Sequence, residues 1–428
     1  MTTEDHDADE HDLDAVARDV LRHNDRGGYT VPTAGLYPFQ WNWDSAFAAW
    51  GWSTFDVDRA WTEIETLLTG QWETGMVPHI VFHRPDDGYF PGPDVWRVDH
   101  APPTSGISQP PVLASMARRV LDADPEGGLP RLAALYPRLV ASHRWWHDVR
   151  CTHGVAAIIH PWESGRDNSP AWDVGLADVD VSGVEPYERR DLDHVDASMR
   201  PSALDYDRYV AIVQYGRSVG WDHDRIVADG PFLMADPALH LILLRAHRDL
   251  AELGRLLGDA ATAAELDRWA DDLQAGLTRL WNDDLGAHDA LDLRTGRFAG
   301  CATASAWLEY WAGVADDRID ARLRAVWDRV AFGIPTHDPA APGFEPRRYW
   351  RGPVWPVVNS LIGVGLAEEG RTAEAELLQR ETAALIERNG LSEYFDPIDG
   401  TPCGGDRFTW TAAVWLAWVR AGGSTVLA

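Results

Sequence analysis

Apolar residues recur along this chain at positions i, i+3, i+4 and i+7, the period of an α-helix that buries one stripe. The pattern covers residues 11–23, 42–52, 57–70, 108–123, 128–149, 205–219, 236–257, 260–281, 301–314, 318–331, 355–369, 372–389 and 407–421, so about a dozen helices are expected. Glycine punctuates them: Gly70, Gly258 and Gly370 each stand just past a periodic run, where helices commonly stop. No alternation of strand and helix signals is present, so neither a βαβ unit nor a parallel sheet is expected, and no GxGxxG or Walker segment occurs. Two regions, 71–107 and 150–204, escape the helical period and are rich in Gly, Pro, Asp and Trp. Loops of that length in a compact domain usually carry function. The economical reading is an all-α ring of paired helices with catalytic loops on one rim. It makes 1–428 one domain, with inserted or lid segments at about 71–107 and 150–204. The Asp-rich run 173–207 reads equally as a mobile lid or a solvated loop.

Composition narrows the function. The net charge of −29 argues against nucleic acid and against anionic membranes. All 38 basic residues are arginine, which excludes a lysine Schiff base, a pyridoxal-phosphate anchor and a P-loop lysine. A GC-rich genome and a salt-tolerant cytosol account equally for that bias. Cys151, Cys301 and Cys403 are odd in number and far apart, so neither a disulfide framework nor a CxxC metal site is expected. Histidines show no HExxH spacing; no metal and no cofactor are expected. The first residues are acidic with no apolar core, and no stretch approaches the ~18 apolar residues of a membrane span. A cytoplasmic protein follows, with residues 1–10 disordered and a homo-oligomer left open.

The densest chemistry lies between His160 and Asp173, where Glu163, Asp167 and Asp173 share a segment broken by Gly and Pro with Arg166, Trp162 and Trp172. Glycosidic bond hydrolysis takes one carboxylic acid to protonate the leaving oxygen and a second carboxylate across the ring, and aromatic faces bind the apolar faces of a pyranose. The second acid is Glu393, in Leu391-Ser392-Glu393-Tyr394-Phe395-Asp396-Pro397, followed by a loop ending at Trp410. Taken alone, Asp167 also reads as a turn-closing Asp, Glu163 competes for the acid role, and Glu393 reads as a loop acid after a helix end. A neutral-pH acid needs a raised pKa. Trp162, Trp172 and Glu163 would supply it, and Arg166 would oppose it if it pointed inward. In Gln40-Trp41-Asn42-Trp43-Asp44-Ser45 an N-cap and a sugar subsite are compatible. Gln109, before two prolines, is expected to aim its amide at the cleft. Arg351, between Trp350 and Trp355, calls for a carboxylate or a cation–π partner.

These blocks, with Leu36–Ser45, Thr104–Pro111 and Tyr349–Trp355, resemble the bacterial and archaeal branch of glycoside hydrolase family 63, the mannosylglycerate and glucosylglycerate hydrolases. The five occur in family order over roughly residues 30–420. The resemblance implies an (α/α)6 barrel and an inverting reaction. It implies Asp167 as proton donor and Glu393 as base, which leaves Glu163 to orient or hydrogen-bond Asp167. The sugar subsite would draw on Tyr37, Trp41, Trp43, Asp44, Gln109, Trp162, Arg166, Tyr349, Trp350, Arg351, Trp355 and Trp410. His79 and Tyr89 lie in a loop that resembles the family's mobile loop over the aglycone; Arg208 and Tyr209 are weaker candidates for the same end. The expected function is hydrolysis of a small α-glycosylated solute, glucosylglycerate or mannosylglycerate. The alternatives are an oligosaccharide α-glucosidase of trehalase or debranching type and an inactive sugar-binding protein.

Overall fold

Six helices, each packed on the next, close a ring: Asn42–Ser53, Leu113–Ala123, Pro237–Leu256, Leu308–Ala312, Pro356–Glu368, Thr409–Val414, and back to Asn42–Ser53. The computed structural model describes residues 12–152 and 154–421; the disorder expected for residues 1–10 falls outside them. Inner helices have neighbours on several sides, which is why Asn42–Ser53 is buried at all 12 positions and carries Trp, Phe, Ala and Gly instead of one apolar stripe. Small residues set how closely the ring closes. A Cβ on Gly365 would strike the backbone of Tyr310 and Trp311 on the neighbouring helix. A second layer covers the ring: Leu13–Asn24 packs on Thr409–Val414, Val57–Leu68 on Asn42–Ser53, Pro125–Trp145 on Leu113–Ala123, Ala260–Gly276 on Pro237–Leu256, and Thr372–Asn389 on Pro356–Glu368. Asp317–Trp327 follows Leu308–Ala312 in the same alternation. This is the expected (α/α)6 barrel, and one hydrophobic cluster runs through it from Ala17 to Trp418.

Several predicted boundaries move for local reasons. The helix expected at 301–314 is reduced to Leu308–Ala312, because Thr303 bridges to His337 and Ser305 is taken by Arg166. The 108–123 run starts at Leu113, after Pro110 and Pro111. The helix predicted at 128–149 begins at Pro125, capped by Asp124, and ends in a π-turn, Trp146–Arg150. Among the described residues the strands are short and lie between the helices. Gln40–Trp41 pairs antiparallel with Ile80–Val81, and Tyr394–Phe395 pairs with Pro402–Cys403. Cys151–Thr152, Val155–Ile158, Met234–Ala235 and Leu291–Asp292 form one four-stranded antiparallel sheet. That sheet delivers Ile158 directly into the acidic segment. Among the described residues no helix is long and apolar enough to cross a membrane.

Candidate active site

The inner helices turn their N-terminal ends to one rim. Trp43 and Asp44 begin Asn42–Ser53, Gln109 precedes Leu113–Ala123, Tyr349 precedes Pro356–Glu368, Trp410 begins Thr409–Val414, and all five line a single pocket. The segments between helices complete its wall with Tyr37, Trp41, His79, Tyr89, Trp162, Asp167 and Glu393. The space, its mouth included, is about 800 Å³, the size of a small-ligand site.

Asp167 stands on a tight turn. Gly165 holds a left-handed φ of 66°, and a Cβ there would sit 2.5 Å from the Trp43 ring, so glycine is required both for the turn and for the approach. The Tyr209 hydroxyl donates to the Asp167 carbonyl at 2.8 Å, and the Trp172 indole donates to the Arg166 carbonyl at 2.7 Å. Glu393 opens the Tyr394–Phe395 strand. Its backbone N–H donates to the Gly405 carbonyl at 2.8 Å, and its Oε2 accepts the Gly405 N–H at 2.9 Å. Its Oε1 accepts the Tyr37 hydroxyl at 3.3 Å.

Burial, offset by the Arg200 guanidinium and reinforced by the charge of Glu393, pushes the Asp167 carboxyl up to about 7. Burial likewise raises Glu393 to about 7 against Arg200, the Gly405 N–H and the Tyr37 hydroxyl. Asp44 is driven well above the usual carboxylate range by burial and by its two acidic neighbours. Burial holds His79 well below its ordinary value, so its imidazole is neutral at pH 7. The pocket thus holds three mutually coupled carboxyls with raised pKa values and can keep protons on some of them at neutral pH.

Other expected site residues lie elsewhere. Glu163 does not line the pocket. It is fully buried on Arg150, because its side chain turns back toward the strand that precedes it. Arg166 points away from the pocket to Asp236 and Ser305, with its guanidinium over Trp172, so it is not turned inward to oppose the raised pKa of Asp167. Trp350 and Trp355 stack on each other, 3.9 Å between centroids, and are sealed in the core. Arg351 finds its carboxylate in Asp173 at 2.7 Å, outside the pocket. The Tyr349–Arg351 block still reaches the acid turn, since Asn168 accepts the Trp350 N–H at 2.9 Å. Tyr209 acts on the turn through its hydroxyl. Arg208 faces Asp205 at 3.8 Å and does not line the pocket.

Arg200 was missed. It lines the pocket, donates to the Tyr37 hydroxyl at 3.0 Å and to Asp191 at 3.0 Å, and lies 4.2 Å over the Tyr349 ring. Arg190, Asp191, His194 and Tyr206 line the pocket too, so part of the 173–207 run contributes to its wall. One signal could have found Arg200. Ser202 and Asp205 form a capping box that starts the next helix at Ala203, which makes Arg200 one of the last loop residues before it. Among the described residues no group of three or more His, Cys, Asp or Glu side chains is arranged to hold a metal ion.

Comparison with known proteins agrees with this fold. A family model for the mannosylglycerate hydrolase MGH1-like glycoside hydrolase domain matches residues 37–411. Mannosylglycerate hydrolase MGH1 of Selaginella moellendorffii is 42% identical over 413 residues, 94% of this chain and 85% of the relative. Glucosylglycerate hydrolase of Mycolicibacterium hassiacum is 36% identical over 434 residues, 95% of this chain and 97% of the relative. The crystal structure of a mannosylglycerate hydrolase from Thermus thermophilus, in complex with Tris and D-glycerate, superposes with a TM-score of 0.92 at 42% identity, covering 95% of this chain and all of that one. A helical ring with two raised carboxyls lining one pocket, matched over nearly its whole length by such relatives, makes this chain a glycoside hydrolase that belongs to the mannosylglycerate hydrolase MGH1-like family.

Proposed function

We propose that this enzyme hydrolyses the α-glycosidic bond of a small glycosylated glycerate, mannosylglycerate or glucosylglycerate, with inversion at the anomeric carbon. The observation that carries the reading is that Asp167 and Glu393, both raised by burial, line one pocket together with the cation Arg200, whose charge acts on both. Asp167, raised to about 7, keeps a proton at neutral pH and is assigned as the general acid on the glycosidic oxygen. Glu393 is assigned as the base that takes a proton from the attacking water. Burial raises Glu393 to about 7, and Arg200, the Gly405 N–H and the Tyr37 hydroxyl act against that rise in favour of the ionised form. Inversion requires the two carboxyls to stand ~6.5–9.5 Å apart, with water between them. Trp41, Trp43, Tyr89 and Trp162 offer ring faces for the hexose, and Asp44 and Gln109 offer polar atoms for its hydroxyls. With no lysine in the chain, the carboxylate of a glycerate aglycone falls to Arg200, helped by Tyr89 and His79.

The test is product analysis by NMR with mannosylglycerate, glucosylglycerate, trehalose and kojibiose. Release of hexose and glycerate, with the β-anomer first, is the expected result. Turnover of trehalose or kojibiose without turnover of either glycerate would move the enzyme to the oligosaccharide α-glucosidases.

A further inference from the structure

Glu163 precedes Asp167 by four residues yet makes no contact with the pocket. Its carboxylate and the Arg150 guanidinium are each 0% exposed. Taking such a pair out of water is costly, and apolar groups of the same volume generally pack at least as well. The position of the pair shows what it does. Glu163 Oε1 accepts Arg150 Nη2 at 2.9 Å and the Ser108 N–H at 3.0 Å, while Oε2 accepts the Ile159 N–H at 2.8 Å. The Ser108 hydroxyl in turn donates to the Val77 carbonyl at 2.7 Å, two residues before His79. The next residue, Gln109, accepts the Trp43 N–H at 3.1 Å. One buried carboxylate therefore fastens together the segments that carry Gln109, Trp162 and Asp167, with His79 one bond further on. Arg150 backs it from the side away from the pocket, 4.8 Å over the Trp145 ring and 3.5 Å from His223 Nδ1.

We propose that Glu163, backed by Arg150, is a positioning residue for proton delivery, holding the Asp167 turn in register with the Gln109 segment without touching substrate. The proposal rests on Asp167 being the proton donor. Charge-assisted bonds are short and directional, which suits a node that must hold one geometry. Gln at this position keeps the shape but turns an NH2 group toward a donor, so at least one of the three bonds is lost. A displacement of the turn by about 1 Å costs up to ~10²-fold in a step that depends on alignment. Departure of an oxygen leaving group depends on protonation in that way. Departure of fluoride does not.

The experiment compares Glu163→Gln, Glu163→Gln/Arg150→Gln and Asp167→Asn on mannosylglycerate, glucosylglycerate and the α-glycosyl fluoride of the same hexose, with thermal unfolding of each variant. Asp167→Asn should lose the glycosides and keep the fluoride. Glu163→Gln should lower kcat on the glycosides by about 10- to 100-fold, with KM and fluoride turnover within about 3-fold of wild type. The double variant leaves no uncompensated buried charge and serves if the single one does not fold; the same split is expected of it. Equal losses on both substrate types in a folded variant, or wild-type glycoside turnover, would overturn the positioning role while leaving Asp167 in place. Absence of the split in Asp167→Asn would instead overturn the acid assignment, and this proposal with it.

Discussion

Tyr37 places one hydroxyl between Glu393 and Arg200, donating to the carboxylate at 3.3 Å and accepting from the guanidinium at 3.0 Å. A cation is thereby coupled to the assigned base through a neutral phenol. The phenol stays neutral because burial pushes its ionisation well above the ordinary value. Tyr37→Phe removes a donor to the ionised form of Glu393, so the carboxyl should titrate higher by up to about one unit. The base must be ionised to act, so the acidic limb of the kcat/KM profile should move to higher pH. A limb that stays in place or moves down would detach Tyr37 from the base.

For the catalytic pair, Asp167→Asn and Glu393→Gln should each reduce kcat on the preferred glycerate glycoside by at least ~10²-fold with the fold retained. Circular dichroism and steady-state kinetics decide this. Near-wild-type turnover in either variant would reassign that carboxyl, and early appearance of the α-anomer in wild type would mean retention.

The same carboxyls make stability depend on pH. Each has a folded pKa of about 7, above the ordinary carboxylate value, so between those values the native chain binds more protons than the unfolded one. Their favourable contribution is complete at low pH and is lost as pH rises through about 7. Asp167→Asn or Glu393→Gln should therefore leave Tm nearly unchanged near pH 4 and raise it relative to wild type at pH 8. A Tm difference that does not vary with pH would show that these carboxyls are not raised.

Arg200 should decide between charged and neutral aglycones. A charge-assisted bond in a buried pocket contributes ~1–3 kcal/mol, so Arg200→Gln should reduce kcat/KM for glucosylglycerate by roughly 5- to 100-fold. Glucosylglycerol, which lacks the carboxylate, should share only the part of the loss that comes from removing the Arg200 charge from Asp167 and Glu393. Tyr89→Phe should narrow the same preference by a smaller factor. Equal losses on the two substrates would remove Arg200 from aglycone recognition.

Helix approach supplies a prediction remote from the chemistry. A methyl group at Gly365 would collide with the Tyr310 carbonyl and the Trp311 amide across the inner ring. Overpacking of this kind costs about 1–3 kcal/mol, enough to lower Tm by several degrees, in spite of alanine's better helix propensity. Gly365→Ala with unchanged Tm would mean that the ring tolerates wider spacing there.

How much of this was legible in the chain depended on the range of the forces involved. Helical periodicity, the two non-helical regions and the acid-aromatic blocks are local properties, and from them came the helical ring, the loop-borne pocket, and Asp167 and Glu393 as the pair worth watching. Which way a side chain turns is not local. Arg166 and Glu163 flank the same turn as Asp167 and were expected to face the sugar. Each instead swings to a buried partner, Asp236 and Arg150, brought in from elsewhere in the chain by folding. An unpaired charge in the core costs more than a sugar contact offers, so the nearest buried opposite charge wins. Arg200 shows the converse. No motif marks it, and only the packing of part of the 173–207 run into the pocket wall sets its guanidinium beside Tyr37, Tyr349 and Asp191. Residue types and the order of elements were thus written in the sequence, whereas the partners of each buried charge were decided by tertiary structure, because electrostatic pairing acts between positions that only the fold makes neighbours.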